Sequence, residues 1–205
     1  MASGNFINVV GTVNLTKKTG KILYVNPVSS ILVAKAGDEG QLLIRVKSAD
    51  GQLLQEHPTR VKLDTCSDRG AERTGIFDTA IPANPEARVL ELLIEGQVVD
   101  TYGAAAAPPP EVSNIQRIGI TDEAINFAWD APAPAPSGVI YNVQVSTDEG
   151  HTWQTVAVGR TSPDAAIDRT QFPPGTKFTV RVVATDGFTS RVVTSDTFTS
   201  DEPES

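Results

Sequence analysis

Short runs rich in β-branched and aromatic residues recur along the whole chain, separated by turns that contain glycine, proline or asparagine. No run carries the apolar periodicity of an amphipathic helix. Leu42, Ile44 and Val46 alternate toward one face, and residues 49–52 then supply a glycine-containing hairpin turn. Residues 95–96, Glu-Gly, predict a second hairpin. The pattern predicts an all-β chain built from antiparallel sandwiches.

The run at 103–110 divides the chain, because it joins four alanines to three prolines. Proline lacks a backbone donor, and such runs favour an extended, semi-rigid linker. A length of 205 residues accommodates two domains of about 100 residues each. We therefore predict an N-terminal β-sandwich domain at 1–103, an Ala/Pro linker at 104–111, a second sandwich at 112–199 and a disordered acidic tail at 200–205.

The strand pattern can be placed residue by residue in both domains. In the first domain, strands are predicted at 6–13, 21–25, 30–34, 41–46, 60–63, 76–81, 88–94 and 97–102. In the second, they are predicted at 112–120, 124–129, 140–146, 152–158, 165–168, 177–184 and 191–198. Seven strands in about 90 residues suit a Greek-key sandwich.

Several segments of the second domain combine apolar alternation with proline and glycine turns at defined positions. Residues 125–129 place their apolar side chains on one face, and a proline-rich connection follows Trp129. Residues 141–145 alternate likewise, and 172–187 contain a Pro-Gly turn that leads into the sixth strand. On these grounds 112–199 resembles a fibronectin type III module. The resemblance implies an immunoglobulin-like sandwich, so we expect two consecutive Ig-like or fibronectin type III-like domains, and it implies little about chemistry.

Phe178 departs from that resemblance. The family usually has a tyrosine at this position, and the tyrosine hydroxyl anchors the adjoining corner of the fold. Because phenylalanine has no hydroxyl, we expect the anchoring around Phe178 to be apolar.

Residues 146–153 match the Asp-box pattern, which recurs in sialidases and other β-propeller proteins. Asp148 can accept hydrogen bonds from the turn's backbone, and Gly150 can take the positive φ that the turn requires. Trp153 can pack back across the hairpin. A propeller would need several such boxes at regular spacing, whereas this chain has one. We therefore predict a structural turn formed by Ser146, Asp148, Gly150 and Trp153, and no sialidase activity.

The sequence lacks the residues needed for nucleic-acid binding, membrane insertion, metal binding or catalysis. The net charge of −8 opposes nucleic-acid binding, and no apolar run is long enough for membrane insertion. The two histidines, His57 and His151, belong to no metal-binding motif. Phosphate loops, dinucleotide fingerprints and nucleophile elbows do not occur in the sequence. We predict no catalytic residues, no metal, no cofactor and no enzymatic activity.

The polar loop at 64–75 is the most irregular part of the first domain. Its acids could supply oxygen ligands to calcium, but they lack the spacing of a dedicated calcium loop. Cation binding by this loop therefore stays open at the sequence level. Cys66 lies in the same loop with no histidine close in sequence, which favours an incidental thiol over a nucleophile.

The module order, the opening at 11–16 and the hairpin at 141–153 resemble the C-terminal modules of large exported bacterial proteins, some of them surface proteins or metallopeptidase-like proteins. The resemblance implies a non-catalytic accessory region, extracellular or at the cell surface, whose signal peptide is not in this chain. It would space or present other domains of a parent protein and could bind carbohydrate or protein through loops. Two alternatives stay open: a self-contained adhesin or assembly subunit that pairs through edge strands, and a hydrolase with an inter-domain cleft.

Metal removal should leave the protein's stability unchanged, because neither the histidines nor the acidic loop has ligand spacing. We expect equal melting temperatures with and without EDTA. A melting temperature that rises strongly with added calcium would contradict this prediction.

Overall fold

A computed structural model describes residues 4–30, 42–64 and 72–201 of the chain. These residues form two compact units, Met1–Ala104 and Ala105–Ser205. In the described ranges the regular structure is antiparallel strand, apart from one 3-10 turn at Arg169–Gln171. No helix with the length and apolarity needed to cross a membrane occurs in these ranges. The predicted all-β fold class is confirmed.

Unit 1 contains two four-stranded antiparallel sheets. One has the strand order β2-β1-β6-β5 and consists of β1 (Gly4–Asn14), β2 (Thr19–Ser30), β5 (Lys62–Leu63) and β6 (Thr74–Pro82). The other has the order β4-β3-β7-β8 and consists of β3 (Leu42–Lys47), β4 (Leu53–Pro58), β7 (Val89–Ile94) and β8 (Gln97–Gly103). Alternate apolar residues of both sheets, such as Val9, Ile44, Phe77 and Leu92, are buried and form the core.

Both predicted hairpins of unit 1 are present. Residues 49–52 connect β3 to β4, and Glu95 and Gly96 connect β7 to β8. Glu95 and Gly96 both have positive φ, 48° and 79°. Two positive φ values characterise the type I′ turn, whose twist matches that of the flanking strands.

A side chain of one sheet completes the hydrogen bonding of the other. The β1–β2 register shifts between Val10 and Gly11, where β2 carries an additional residue. Beside this irregularity, the backbone N–H of Ile22 donates to Asp100 Oδ2 of β8 at 2.7 Å. Gly11 sits so close to its neighbours that a Cβ there would lie 2.3 Å from Lys21 O and from Phe77 Cζ. Asp100 therefore ties the edges of the two sheets together.

Unit 2 packs three strands against four. The three-stranded sheet has the order β13-β10-β9 and consists of β9 (Ser113–Ile120), β10 (Ala124–Asp130) and β13 (Asp164–Asp168). The four-stranded sheet has the order β12-β11-β14-β15 and consists of β11 (Ile140–Ser146), β12 (Gln154–Arg160), β14 (Lys177–Thr185) and β15 (Ser190–Thr199). The second-domain strands predicted from the sequence agree with these bounds to within two residues.

Aromatic side chains dominate the core of unit 2. Trp129 is 4% exposed, and its ring makes an edge contact with Tyr141 at a centroid distance of 5.7 Å. Phe178 stacks on Phe172 at 5.1 Å and contacts Phe127 edge-on. The Tyr141 hydroxyl donates to Pro132 O at 3.0 Å, and burial raises the pKa of this hydroxyl. The alternating residues singled out in the sequence are therefore core residues.

The anchoring next to Phe178 is partly polar, which corrects the expectation of a purely apolar corner. Ser200 is 1% exposed; its hydroxyl donates to Pro173 O at 3.0 Å and accepts from Thr176 N at 3.1 Å. Asp201 Oδ1 accepts from Gly175 N at 2.9 Å. These side chains hold the Pro-Gly turn in place of a tyrosine hydroxyl. The ordered domain therefore extends to residue 201, beyond the predicted boundary at 199.

The predicted linker also needs a correction at its C-terminal end. Pro109 is buried, and its carbonyl accepts from Arg191 Nε at 3.0 Å. Arg191 Nη1 also contacts Glu111 Oε1 at 3.1 Å. Residues 109–111 therefore belong to the packed second unit.

Some predicted features of the first domain differ from the structure or lie outside it. The strand β4 was not predicted, because Leu-Leu-Gln-Glu-His-Pro does not alternate and ends in proline, which is tolerated at a sheet edge. The strand predicted at 60–63 shortens to the two residues of β5. Most of the strand predicted at 30–34, Cys66 and the middle of the acidic loop at 64–75 lie outside the described residues.

Replacing Trp129 with alanine should reduce the free energy of unfolding of unit 2 by about 3 to 5 kcal/mol, as deletion of a buried large aromatic usually does. Ile118→Ala is a suitable control, because Ile118 is exposed, and it should cost less than about 1 kcal/mol. Equilibrium denaturation of the full chain measures both values. Equal losses would place Trp129 outside the core.

Candidate functional site

The turn at 146–153, which joins β11 to β12, is the candidate site indicated by the sequence. Ser146 is buried at its start, and its hydroxyl accepts from Gly150 N at 2.8 Å and donates to Asp148 Oδ1 at 2.7 Å. The Ser146 hydroxyl therefore links the aspartate to the backbone of the turn.

The Asp148 carboxylate accepts hydrogen bonds through both of its oxygens. Oδ1 accepts from Thr152 N at 2.8 Å, and Oδ2 accepts from the Thr152 hydroxyl at 2.6 Å. The hydrogen bonds from Thr152 and Ser146 stabilise the ionised form and lower the pKa of Asp148 to about 2. The carboxylate is thus engaged by its own hairpin.

Backbone geometry at the turn favours glycine at position 150. Glu149 and Gly150 have φ values of 59° and 87°, both in the left-handed region. A Cβ at Gly150 would lie 3.4 Å from Trp153 Cζ2, and Trp153 Nε1 donates to Gly150 O at 3.0 Å. Trp153 therefore closes the turn as well as packing against it.

Arg181, which sequence reasoning did not single out, joins this site from the neighbouring strand β14. Its guanidinium carbon lies 4.1 Å from the centre of the Trp153 ring. Its Nε and Nη2 both donate to Gln144 Oε1, at 2.8 and 2.5 Å. Gln144 in turn donates to the Thr155 hydroxyl at 3.1 Å. The only sequence signal was the alternation that puts Arg181 on the outer face of its strand.

The two histidines lie in different units and take part in local contacts. His151 is exposed, and its Nδ1 lies 2.6 Å from Asp148 O. His57 lies on β4 with its Nε2 2.9 Å from Gln55 Oε1, and burial lowers the pKa of its ring. In the part of the chain that the structure describes, no group of three His, Cys, Asp or Glu side chains could hold a metal ion. The two histidines therefore form no shared cluster in the described residues, and the contacts of the turn stabilise its own hairpin.

Ser146→Ala should lower the free energy of unfolding of unit 2 by about 1 to 3 kcal/mol, because it removes the acceptor for a part-buried N–H. The exposed Ser137 offers a control, and Ser137→Ala should change stability by less than about 0.5 kcal/mol. Denaturant unfolding of the two variants decides the point. A neutral Ser146→Ala would mean that water replaces the hydroxyl.

Asp148→Asn should destabilise the protein in a pH-dependent way. The folded-state pKa of about 2 lies below the ordinary value of 3.8, so the stabilisation is fully present above the unfolded pKa and is lost as pH falls toward 2. We expect Asp148→Asn to melt below the parent at about pH 6 and the difference to close in strong acid. Asp122→Asn, at an exposed position, is the control. A pH-independent difference between the parent and Asp148→Asn would contradict the assignment.

The chain is similar to several proteins of known structure. No family model matches the chain, and no curated protein matches it. The chain is similar to an Fn3-like protein from Clostridium thermocellum, at 26% identity over 45% of this chain and 90% of that chain, with a TM-score of 0.34.

The chain is also similar to a segment of two fibronectin type III domains from chicken tenascin, at 15% identity over 94% of this chain and 99% of that chain, with a TM-score of 0.37. The FN1–FN3 domains of chicken CNTN1 match at 11% identity over 97% of this chain and 61% of that chain, with a TM-score of 0.36. The strand order of unit 2, β13-β10-β9 against β12-β11-β14-β15, makes it a fibronectin type III-like β-sandwich.

Proposed function

We propose that the chain is a non-catalytic accessory region of a larger exported bacterial protein, in which two sandwich domains space or present another domain. The observation that supports the proposal is that the polar groups of the turn at 146–153 hydrogen-bond within their own hairpin. Asp148 and Ser146 bond to their own hairpin, and Trp153 bonds to Gly150 O. A site whose polar atoms are satisfied internally stiffens its domain and has little capacity left for chemistry.

The cores support the same role. Each unit buries its own set of large apolar side chains, Phe77 and Leu90 in unit 1 and Phe127 and Phe178 in unit 2. Domains with their own cores serve as independent modules of longer chains. Loops between their strands are the usual places for contact with a carbohydrate or protein ligand.

The alternative role, a self-contained adhesin or assembly subunit, needs an edge strand that can pair with a partner. β15 is such an edge, but its register shifts between Thr179 and Arg181. There the Ser195 hydroxyl accepts from Val180 N at 2.9 Å. A bulge of this kind interrupts an edge and opposes pairing. At this edge of unit 2 the bulge therefore favours the accessory role over strand pairing.

A replacement experiment in the parent protein tests the spacing role. Residues 1–201 are deleted in one variant and replaced by an unrelated pair of β-sandwich domains of similar length in another. We expect the deletion to impair the parent's activity and the replacement to restore it. Equal impairment in both variants would mean that specific recognition, not spacing, is the function.

The proposed absence of catalysis is tested on the full chain itself. Chromogenic glycoside, ester and peptide substrates should be turned over no faster than in buffer. Turnover that disappears in Asp148→Asn, while turnover in Asp122→Asn is unchanged, would overturn the proposal.

A further inference from the structure

The four-stranded sheet of unit 2 has an outer face opposite the core. Val143, Val145, Val180 and Val182 point inward and are buried, so the residues that alternate with them point outward. Gln144 pairs with Arg181 on one side and with Thr155 on the other. We call six side chains of this face the outer patch: Gln144, Trp153, Thr155, Val158, Arg181 and Val192.

Arg181 has no carboxylate partner among the described residues: none lies within 4.0 Å of its guanidinium, although the chain carries a net charge of −8. Two of its nitrogens share one neutral acceptor, Gln144 Oε1, and Nη1 donates to none of the described residues. Partial burial lowers the pKa of Arg181, yet a guanidinium stays charged at neutral pH. The charge is therefore partly desolvated and uncompensated.

Trp153 and Gln144 hold the guanidinium in place. The ring lies 4.1 Å from Cζ, and the two bonds to one oxygen limit rotation of the guanidinium plane. An arginine fixed in this way loses less side-chain entropy when it binds a further acceptor. The patch is therefore organised before any ligand arrives.

The surroundings of Trp153 disfavour a neutral sugar as the ligand. Sugars commonly stack on an open aromatic face, but here the guanidinium covers one face of the ring. The backbone at Gly150 also approaches the ring, with its Cβ position 3.4 Å from Cζ2. A donor that stays available for binding is Arg181 Nη1, which donates to none of the described residues.

Exposed apolar side chains lie on the same outer face of the sheet as Arg181. Val158 on β12 and Val192 on β15 are 56% and 55% exposed, and Val192 pairs with the outward Val183 of β14. Exposed valines beside an arginine and a tryptophan have the composition of a protein interface, in which tryptophan and arginine carry much of the binding energy.

We propose that the outer patch docks an acidic segment of a partner protein, with a Glu or Asp carboxylate accepting from Arg181 and apolar neighbours of that residue contacting Val158 and Val192. Charge complementarity selects this occupant, since no carboxylate in the described part of the chain pairs with the guanidinium. This surface adds to the accessory role and does not depend on it, because a self-contained adhesin could use the same face.

Nuclear magnetic resonance of the 15N-labelled full chain tests the proposal with two synthetic peptides. One is acetylated and amidated Thr-Val-Glu-Val-Thr, and the other has glutamine in place of glutamate. We expect saturable shifts of the Arg181 Nε–H and Trp153 Nε1–H signals with the glutamate peptide. Affinity for the glutamine peptide should be about tenfold lower, because it lacks the charge-assisted bond.

Arg181→Gln should abolish the preference for glutamate over glutamine. Arg160→Gln, which alters an arginine already paired with Asp164 in the same unit, should preserve it. If Arg181→Gln fails to fold, Arg181→Lys replaces it, and this variant should bind more weakly while keeping the preference.

Four outcomes would overturn the proposal. The first is equal affinity for the two peptides, and the second is the absence of a saturable shift at about 5 mM peptide, a concentration at which even weak binding is detected. The third is an unchanged preference for glutamate in Arg181→Gln. The fourth is a shift of the patch signals with protein concentration alone. The last would identify a second copy of the chain as the occupant. Galacturonate provides a further arm: saturation by galacturonate without saturation by the glutamate peptide would identify an acidic glycan instead.

Discussion

Burial of alternating apolar side chains between two sheets is the constraint on which each unit depends. In unit 2 the inward residues of β10, β11 and β14 meet in one aromatic core that includes Trp129, Tyr141 and Phe178. Because strand side chains alternate with a period of two, a slip of one residue would turn this set toward water. The core therefore sets the register, and the register determines which residues appear on the outer faces and in the turns.

Packing alone leaves backbone groups without partners wherever the ladder is interrupted, and side chains fill those positions. Asp100 accepts from the Ile22 N–H at a strand irregularity, and Ser146 accepts from Gly150 N in a turn. The full desolvation penalty of an unpaired N–H makes these two bonds matter more than their net strength. Ser200 adds a second acceptor to Thr176 N, which also donates to Pro173 O at 3.2 Å. These three polar groups belong to the fold, although Ser146 is also part of the candidate site.

The turn at 146–153 and the outer patch differ in how their charged side chains are paired. In the turn, Asp148 is an anion with several donors directed at it, and the low pKa reflects that arrangement. In the outer patch, Arg181 is a cation with one neutral acceptor and an aromatic ring. A satisfied charge stabilises the protein, whereas an uncompensated one is free to recognise a partner. The proposed binding surface therefore lies on a face of a sheet, whereas the turn at 146–153 stabilises its own hairpin.

Composition and period-two alternation were enough to determine the all-β class, the division near residue 104, and nearly every strand of unit 2. Those features depend on local patterns, as do the positive φ at Gly150 and the hydrogen bonds of Asp148 within its own turn. The strand β4 was not predicted, because its sequence, which lies at a sheet edge, does not alternate. The contacts of Ser200 and Arg181 were determined by tertiary structure alone. Ser200 bonds to Thr176, which is 24 residues away in sequence, and Arg181 bonds to Gln144, which is 37 residues away. Contacts between distant strands depend on how the sheet is assembled, which no local pattern encodes.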